Sequence, residues 1–441
     1  MKRQTMVLTG VGVVAVGLAL IAAACGGGGK KATTTGAASV SGSISVEAVW
    51  SGAEQASFKA VLNGFMAKYP NVSVSYKSDG DQLPTVLATE VSGGNPPDLA
   101  VVPQPGLMKQ FVQKGALKPI DFAKPTIQQH YAPVWIDLGT VNGKLYGIVF
   151  KGANKSTGWY NVQLSNAAGV TPPKAWTALL SGAKKLQASG TKAYSIGGAD
   201  GWTLTDLFEN IFLRQASPAD YDLLTQHNMK WTSAPVKKAL STMAQVFGDT
   251  SNIAGGTQGA LLTDFPTSVT NVFGNPPKAA IVFEGDFVEG TITSSTKAKP
   301  ATNFNEFAFP SVDGKGADYV MGGGDTVVMF RNSAAARALI DYLATPQAAE
   351  IWAKRGGFSS PNKDVKASVY PDPIQRRMAV ALATAPVFRF DMSDQAPAAF
   401  GATVGQGEWK ILQDFLKNPK NVNGIATQLE ASATKTFGHS G

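Results

Sequence analysis

Residues 43–76, SISVEAVWSGAEQASFKAVLNGFMAKYPNVSVSY, decide the fold class. Ser43–Trp50 has strand composition, and Ser51-Gly52-Ala53 turns the chain into a helix. In that helix Phe58, Val61, Leu62, Phe65, Met66 and Tyr69 recur at three- and four-residue steps, which lays an apolar stripe along one face. Such a stripe packs against a sheet. Pro70-Asn71 stops the helix, and Val72–Tyr76 alternates as a second strand. A short helix around Leu83–Val91 follows, then a proline-bounded apolar strand at Asp98–Val102. Strand, helix, strand, helix, strand is the order of a parallel α/β layer.

The same grammar resumes after Tyr146–Phe150. Strands are predicted at Thr157–Tyr160, Tyr194–Gly197, Ala279–Glu284 and Asn305–Phe309. Helices are predicted at Ala175–Ser189, Thr203–Arg214, Ala234–Phe247 and Asp264–Phe273. Tyr319–Phe330 (YVMGGGDTVVMF) is apolar at both ends with three glycines between. Helices at Ala334–Ala344, Pro346–Arg355, Asp372–Ala383, Glu408–Leu416 and Val422–Phe437 complete the chain. A chain of 441 residues is long for one domain, and two α/β lobes fit this layout better than one very large sheet.

Upstream of residue 43 the sequence carries an address. Lys2 and Arg3 precede an uncharged apolar run from Val7 to Ala24, and Cys25 follows directly, ahead of Gly26-Gly27-Gly28-Gly29. A positive start, an apolar middle and small residues before a cut site make a secretory signal. A cysteine just after the cut makes residues 1–24 resemble a bacterial lipoprotein signal, although Ala22 stands where that pattern usually has leucine. The expectation is a lipidated Cys25 that anchors the chain to the outer face of the cell membrane, with residues 25–42 as a flexible tether. At about 5–6 Å times the square root of its length, the stretch from Gly26 to Gly42 reaches roughly 20–25 Å. Cys25 is the only cysteine, so no disulfide framework is available.

Composition excludes more than it assigns. Removing residues 1–24 takes away two of 39 basic residues and none of 31 acidic ones, and no run of five like charges remains. A nucleic-acid partner is therefore not expected. His130, His227 and His439 lie far apart without metal-ligand spacing, and no cofactor motif appears, so neither metal nor cofactor is expected. Ser-x-x-Lys occurs at Ser181, Ser189, Ser294, Ser360 and Ser432, but no Ser-Asp-Asn or Lys-Thr-Gly accompanies it.

A chain of this class binds ligands at the carboxyl ends of its strands. Trp50 ends the first strand with Glu54 four residues on; Asp79-Gly80-Asp81 follows the second strand, with Asp79 assigned, and Gln104 follows the third. Alternation aims only one of Trp159 and Tyr160 at a cleft, and Trp159 is assigned. Asp200-Gly201-Trp202 opens a helix, and Glu284-Gly285-Asp286 puts two acids around a glycine at the end of an apolar strand. Glu54, Asp200 and Asp325 read equally as helix caps or solvated turn residues. Trp135, Trp176, Trp231, Trp352 and Trp409 read as core. Flat aromatic platforms beside carboxylates and amides suit a pyranose, with its apolar C–H faces and belt of hydroxyls.

Five motifs occur in a telling order: Asn95-Pro96-Pro97-Asp98-Leu99, Pro103-Gln104-Pro105-Gly106, Phe283-Glu284-Gly285-Asp286-Phe287, Gly322-Gly323-Gly324-Asp325, and Gly356-Gly357-Phe358-Ser359-Ser360-Pro361-Asn362-Lys363. From about Ser43 to Phe437 the chain thus resembles the extracellular solute-binding proteins of sugar ABC importers, the maltose-binding-like family, in particular the α-glucoside-binding type. The resemblance implies a two-lobed, periplasmic-binding-protein-like (type II) α/β fold with a ligand cleft between lobes. It implies three crossings, at Tyr146–Phe150, Tyr319–Phe330 and near Lys366–Pro371. Lobe one would be 43–150 with 327–366, and lobe two 151–326 with 367–441. It further implies a monomer that binds a carbohydrate, partners the permease subunits of an importer, and is no enzyme. Trp50, Glu54, Asp79, Gln104, Trp159, Trp202, Glu284, Asp286, Asp325, Phe358 and Asp391 would line the ligand, with Asp394, Phe388 and Phe390 nearby. The rival is a secreted glycoside hydrolase using Glu284 and Asp286.

Overall fold

The computed structural model describes residues 40–438. The signal segment, Cys25 and nearly all of the tether lie outside them.

Strand β1 (Gly42–Ala48) buries Ile44, Val46 and Ala48 on alternate positions, as a strand covered on that face must. Helix α1 (Gly52–Lys68) follows and buries Phe58, Val61, Leu62 and Phe65. Strand β2 (Val72–Ser78) and strand β3 (Leu99–Val102) pair with β1 on either side, both parallel. The Asn-Pro-Pro-Asp motif is explained here: Asp98 Oδ2 accepts from the Ser45 backbone N–H at 2.8 Å and the Ser45 hydroxyl at 3.0 Å, pinning the entry of β3 to β1.

A two-residue hairpin, β4 (Thr140–Val141) and β5 (Lys144–Leu145), leads into β6 (Gly147–Asn154). Strand β7 (Thr157–Asn161) is the centre of a second, three-stranded sheet, flanked by antiparallel β8 (Ile281–Phe283) and β9 (Phe304–Ala308). Strand β10 (Tyr319–Met329) then returns to the first sheet, antiparallel to β3 and to β6, and β11 (Val387–Phe390) pairs parallel with its first residues. The resemblance places Val387–Phe390 in lobe two, yet its hydrogen bonds belong to the first sheet. Tyr194–Gly197, expected as a strand, makes only isolated bridges at Tyr194, to Ile253 and Ile281. Beyond it Gly198 hydrogen-bonds Ala260 instead, and a Cβ on Gly197 or Gly198 would come within 3.0–3.3 Å of the Phe265 and Ala260 backbone.

Each sheet has its own core. Trp50, Phe58, Phe150, Trp352 and Phe358 form an aromatic cluster beneath the first, with Trp50 edge-on to Phe58 at 4.7 Å and to Trp352 at 4.6 Å. Around the second sheet pack Phe208, Phe212, Trp231 and Tyr221 on one side and Trp159, Phe273 and Phe304 on the other.

The glycine run in β10 has a steric reason at each position. A Cβ on Gly322 would sit 2.4 Å from the Phe388 ring, on Gly323 2.6 Å from Lys155 Cε, and on Gly324 2.6 Å from Val149. Just beyond, the β6–β10 register slips, so Thr326 faces Val149 while Asp325 faces Lys151. This bulge leaves Phe150 unpaired and brings the Lys151 and Asp325 side chains to one cleft.

Candidate ligand cleft

A cleft of about 300 Å³ opens between elements of the two sheets. The first sheet supplies Trp50 and Glu54 after β1, Asp81 after β2, Gln104 after β3, Lys151 from β6 and Asp325 from β10. The other side supplies Asp200, Trp202, Asp264, Phe265, Phe287, Asp394 and Trp409. A larger surface cleft of about 890 Å³, past Lys109, Val134 and Arg389, shares no wall residue with it; Phe388 and Phe390 line that one.

Three rings make an aromatic wall. Trp202 lies 5.3 Å from Phe265 and 6.0 Å from Phe287, and Phe265 and Phe287 are 5.3 Å apart. Trp202 is the first residue of the helix Trp202–Gln215, and Phe265 the first of the helix Phe265–Phe273. Asp200 Oδ2 accepts from the Phe265 backbone N–H at 2.6 Å, so one carboxylate ties the two helix starts together. Burial pushes Asp200 up to about 6 and also raises Asp81, which a hydrogen bond from Trp202 partly offsets. Gly201 takes φ +85°, and a Cβ there would press on Trp409 at 2.7 Å.

The facing wall is charged and internally paired. Lys151 meets Glu54 at 2.8 Å and Asp325 at 3.5 Å, and its ammonium sits 5.0 Å from the Phe287 ring centre. Burial would lower the Lys151 ammonium, but Glu54 and Asp325 outweigh it and hold it above its ordinary range. Asp325 also accepts from Trp50 Nε1 at 2.7 Å. Two buried polar atoms of the wall have no protein partner among the described residues: Gln104 Oε1 and Trp409 Nε1, in residues only 4% and 3% exposed. Buried groups of this kind are costly unless something pairs with them.

Of the eleven residues assigned to the ligand from the sequence, Trp50, Glu54, Gln104, Trp202 and Asp325 line this cleft, as do Asp200 and Asp394, named beside them. Trp50 does so with a ring largely sunk in the aromatic core, 1% exposed. The other six of the eleven do not reach the wall. Asp79 pairs with Lys77 at 3.1 Å, and Asp81, two residues on in the turn, takes its place. Trp159 is fully buried, donating to Thr157 Oγ1 and the Gly285 carbonyl, both at 3.1 Å. Both faces of β7 are covered, so alternation aims neither Trp159 nor Tyr160 at the cleft. Glu284 is buried beside Asp206. Asp286 accepts from the Asn154 backbone N–H at 3.0 Å and from the Ser359 hydroxyl, locking the end of β6 to the loop after Phe358. The glycine between these acids serves Phe287, whose ring would lie 2.5 Å from a Cβ at Gly285. Phe358 is buried and stacks on Trp352 at 5.2 Å. Asp391 is buried and caps the short helix Met392–Gln395.

Sequence reasoning missed Lys151, Lys155, Asp264, Phe265, Phe287 and Trp409. One signal was present: Lys151 and Lys155 interrupt the buried stretch VFKGANKSTG, where unpaired cations are not tolerated. Trp409 stands in the first turn of the amphipathic helix Gly407–Lys417, where it reads as core.

Residues 50–350 match the model of one protein family, described as bacterial extracellular solute-binding protein. The chain belongs to that family. It is 31% identical over 380 residues to the osmoprotective compounds-binding protein GgtB of Synechocystis, covering 85% of this chain and 88% of that one. It is 30% identical over 388 residues to the alpha-glucosides-binding periplasmic protein AglE of Rhizobium meliloti, covering 85% and 83%. Among solved structures, the bacterial solute receptor AcbH, described as preferring β-D-galactopyranose, superimposes with a TM-score of 0.79 at 19% identity, over 90% of this chain and 99% of that one. The two-lobed α/β architecture of this solute-binding protein is thus shared with sugar receptors. Among the described residues no helix is long and apolar enough to cross a membrane, and no acid, histidine or cysteine group could hold a metal ion.

Proposed function

We propose that this solute-binding protein captures a carbohydrate, an α-glucoside or small oligosaccharide, outside the membrane and delivers it to the permease of an ABC importer. One observation carries the reading: a single cleft joins the Trp202–Phe265–Phe287 wall to the Glu54, Asp325 and Gln104 oxygens. The rings suit the C–H face of a pyranose, and the oxygens accept from its hydroxyls. Kinship with AglE favours a glucoside. Lobes 43–150 with 327–366 and 151–326 with 367–441 close on the ligand because both sides contact it, which favours the closed state by differential affinity. The loaded protein then docks as a monomer on permease subunits, and energy comes from ATP hydrolysis on another chain. It makes and breaks no covalent bond. Glu284 and Asp286, the pair a hydrolase would use, are 3% and 0% exposed and absent from the cleft wall, so that rival has no support from them. A thermal-shift screen of mono- and oligosaccharides tests the reading. A stabilising saccharide recovered uncut is expected, and steady release of shorter sugars would mark an enzyme instead.

The anchor is a separate proposal, resting on Cys25 after an apolar signal. Mass spectrometry of the membrane fraction is expected to find residues 1–24 removed and Cys25 carrying lipid, with Cys25→Ser released as a folded protein. An unmodified Cys25 in the membrane fraction would refute it.

A further inference from the structure

Lys155 sits in the short link between β6 and β7, and its ammonium meets three carboxylates: Asp391 at 2.5 Å, Asp206 at 3.2 Å and Asp394 at 3.4 Å. Asp206 belongs to the helix Trp202–Gln215, whereas Asp391 caps the helix Met392–Gln395 and Asp394 lies in its first turn. The same ammonium lies 5.9 Å from the Trp202 ring centre. Lys155, Trp202 and Asp394 line the cleft; Asp206 and Asp391 stand behind it, 3% and 0% exposed. Glycine at position 323 keeps the path of the Lys155 stem open.

One cation thus gathers three acids from two segments that meet at the cleft. Further acids surround the group: Glu284 against Asp206, Asp325 acting on Asp394, and Glu209 and Glu408 acting on Asp391. Without the ammonium these carboxylates repel one another in a desolvated site, where such repulsion is strong. We propose that Lys155 is a positioning residue for the ligand: by drawing Asp391 and Asp394 against the helix Trp202–Gln215, it holds the Asp394 carboxylate and the Trp202 ring in the orientation that binds. The inference rests on the carbohydrate reading above.

Kd is measured by calorimetry for the mature full chain with the saccharide that stabilises it most, at about pH 8 and about pH 5.5. Lys155→Met is expected to raise Kd at least tenfold at the higher pH. Part of that loss returns at the lower pH, because protons on Asp206, Asp391 and Asp394 then offset the repulsion that the ammonium no longer balances. A purely structural lysine would lower the melting temperature and leave Kd and its pH profile as in wild type. The double variant Lys155→Met/Asp391→Asn removes one charge of each sign, so it keeps the test open where the single variant does not fold. It is expected to bind at least tenfold more weakly than wild type, with a smaller pH dependence than Lys155→Met. Either variant, folded and with Kd within twofold of wild type at both pH values, overturns the inference. Wild type that binds no saccharide overturns the carbohydrate reading, and this inference with it.

Discussion

Trp202→Ala is expected to weaken carbohydrate binding by about ten- to a hundredfold, roughly 1.4–2.8 kcal/mol, with little change in melting temperature. Trp159→Ala is expected to do the reverse. The two side chains share chemistry and differ in place. Trp202 is half-buried at a helix start, in ring contact with Phe265 and Phe287, and its removal takes a platform from the aromatic wall of the cleft. Trp159 is 0% exposed, packs on Phe304 at 6.1 Å and uses its indole N–H on Thr157 and Gly285. Its truncation leaves a large cavity and removes both of those hydrogen bonds, costing about 3–5 kcal/mol of stability. Calorimetric titration and thermal melts on both variants separate the two roles. Equal losses of affinity in two folded variants would contradict the placement of Trp159 in the core.

The protein is also expected to be more stable near pH 5 than near pH 8, by at least about 2 kcal/mol. Buried acids carry this effect. Burial pushes Asp286 up to about 6, Asp206 up to about 7 and Glu289 up to about 9, and all three are nearly inaccessible. A carboxyl whose folded pKa lies above its unfolded value of about 4 opposes folding once charged. The penalty is present above the folded pKa and is relieved as pH falls through it, so the gain accrues between about pH 9 and pH 4.5. Below that, Asp391 works the other way. Its burial is outweighed by Lys155, which holds it below the usual range, so its contribution is lost as pH falls through its depressed pKa. Denaturant melts across this range check the sign, and a stability that climbs steadily from pH 5 to pH 8 would contradict it.

What the sequence made legible follows from the reach of local physics. The apolar stripe of α1, the alternation of β1 and β2 and the proline-bounded β3 are short-range patterns, and they stand where they were read. The motifs behind the family resemblance were equally visible, but most of them build the frame. Asp98 pins β1, Asp286 ties the end of β6 to Ser359, Phe358 fills the core, and each glycine of Gly322–Gly324 makes room for a neighbour. A motif marks a demanding position without saying whether backbone or ligand makes the demand. The cleft itself draws on segments far apart in the chain, so Phe265 and Trp409 had no local feature to distinguish them from core residues, and the motif that holds Phe287 pointed to its two acids instead. Asp81 displaced Asp79 because the turn after β2, not the strand, decides which carboxylate points inward.

The most direct test of carbohydrate capture is the thermal-shift screen on residues 26–441. A saccharide at a hundred times its Kd should add about 2.7 kcal/mol of stability to wild type. That shift should fall away in Trp202→Ala, and the sugar should be recovered uncut. This pattern is expected for at least one glucoside or oligosaccharide. No shift with any saccharide, from a protein that is folded and monodisperse, would contradict it.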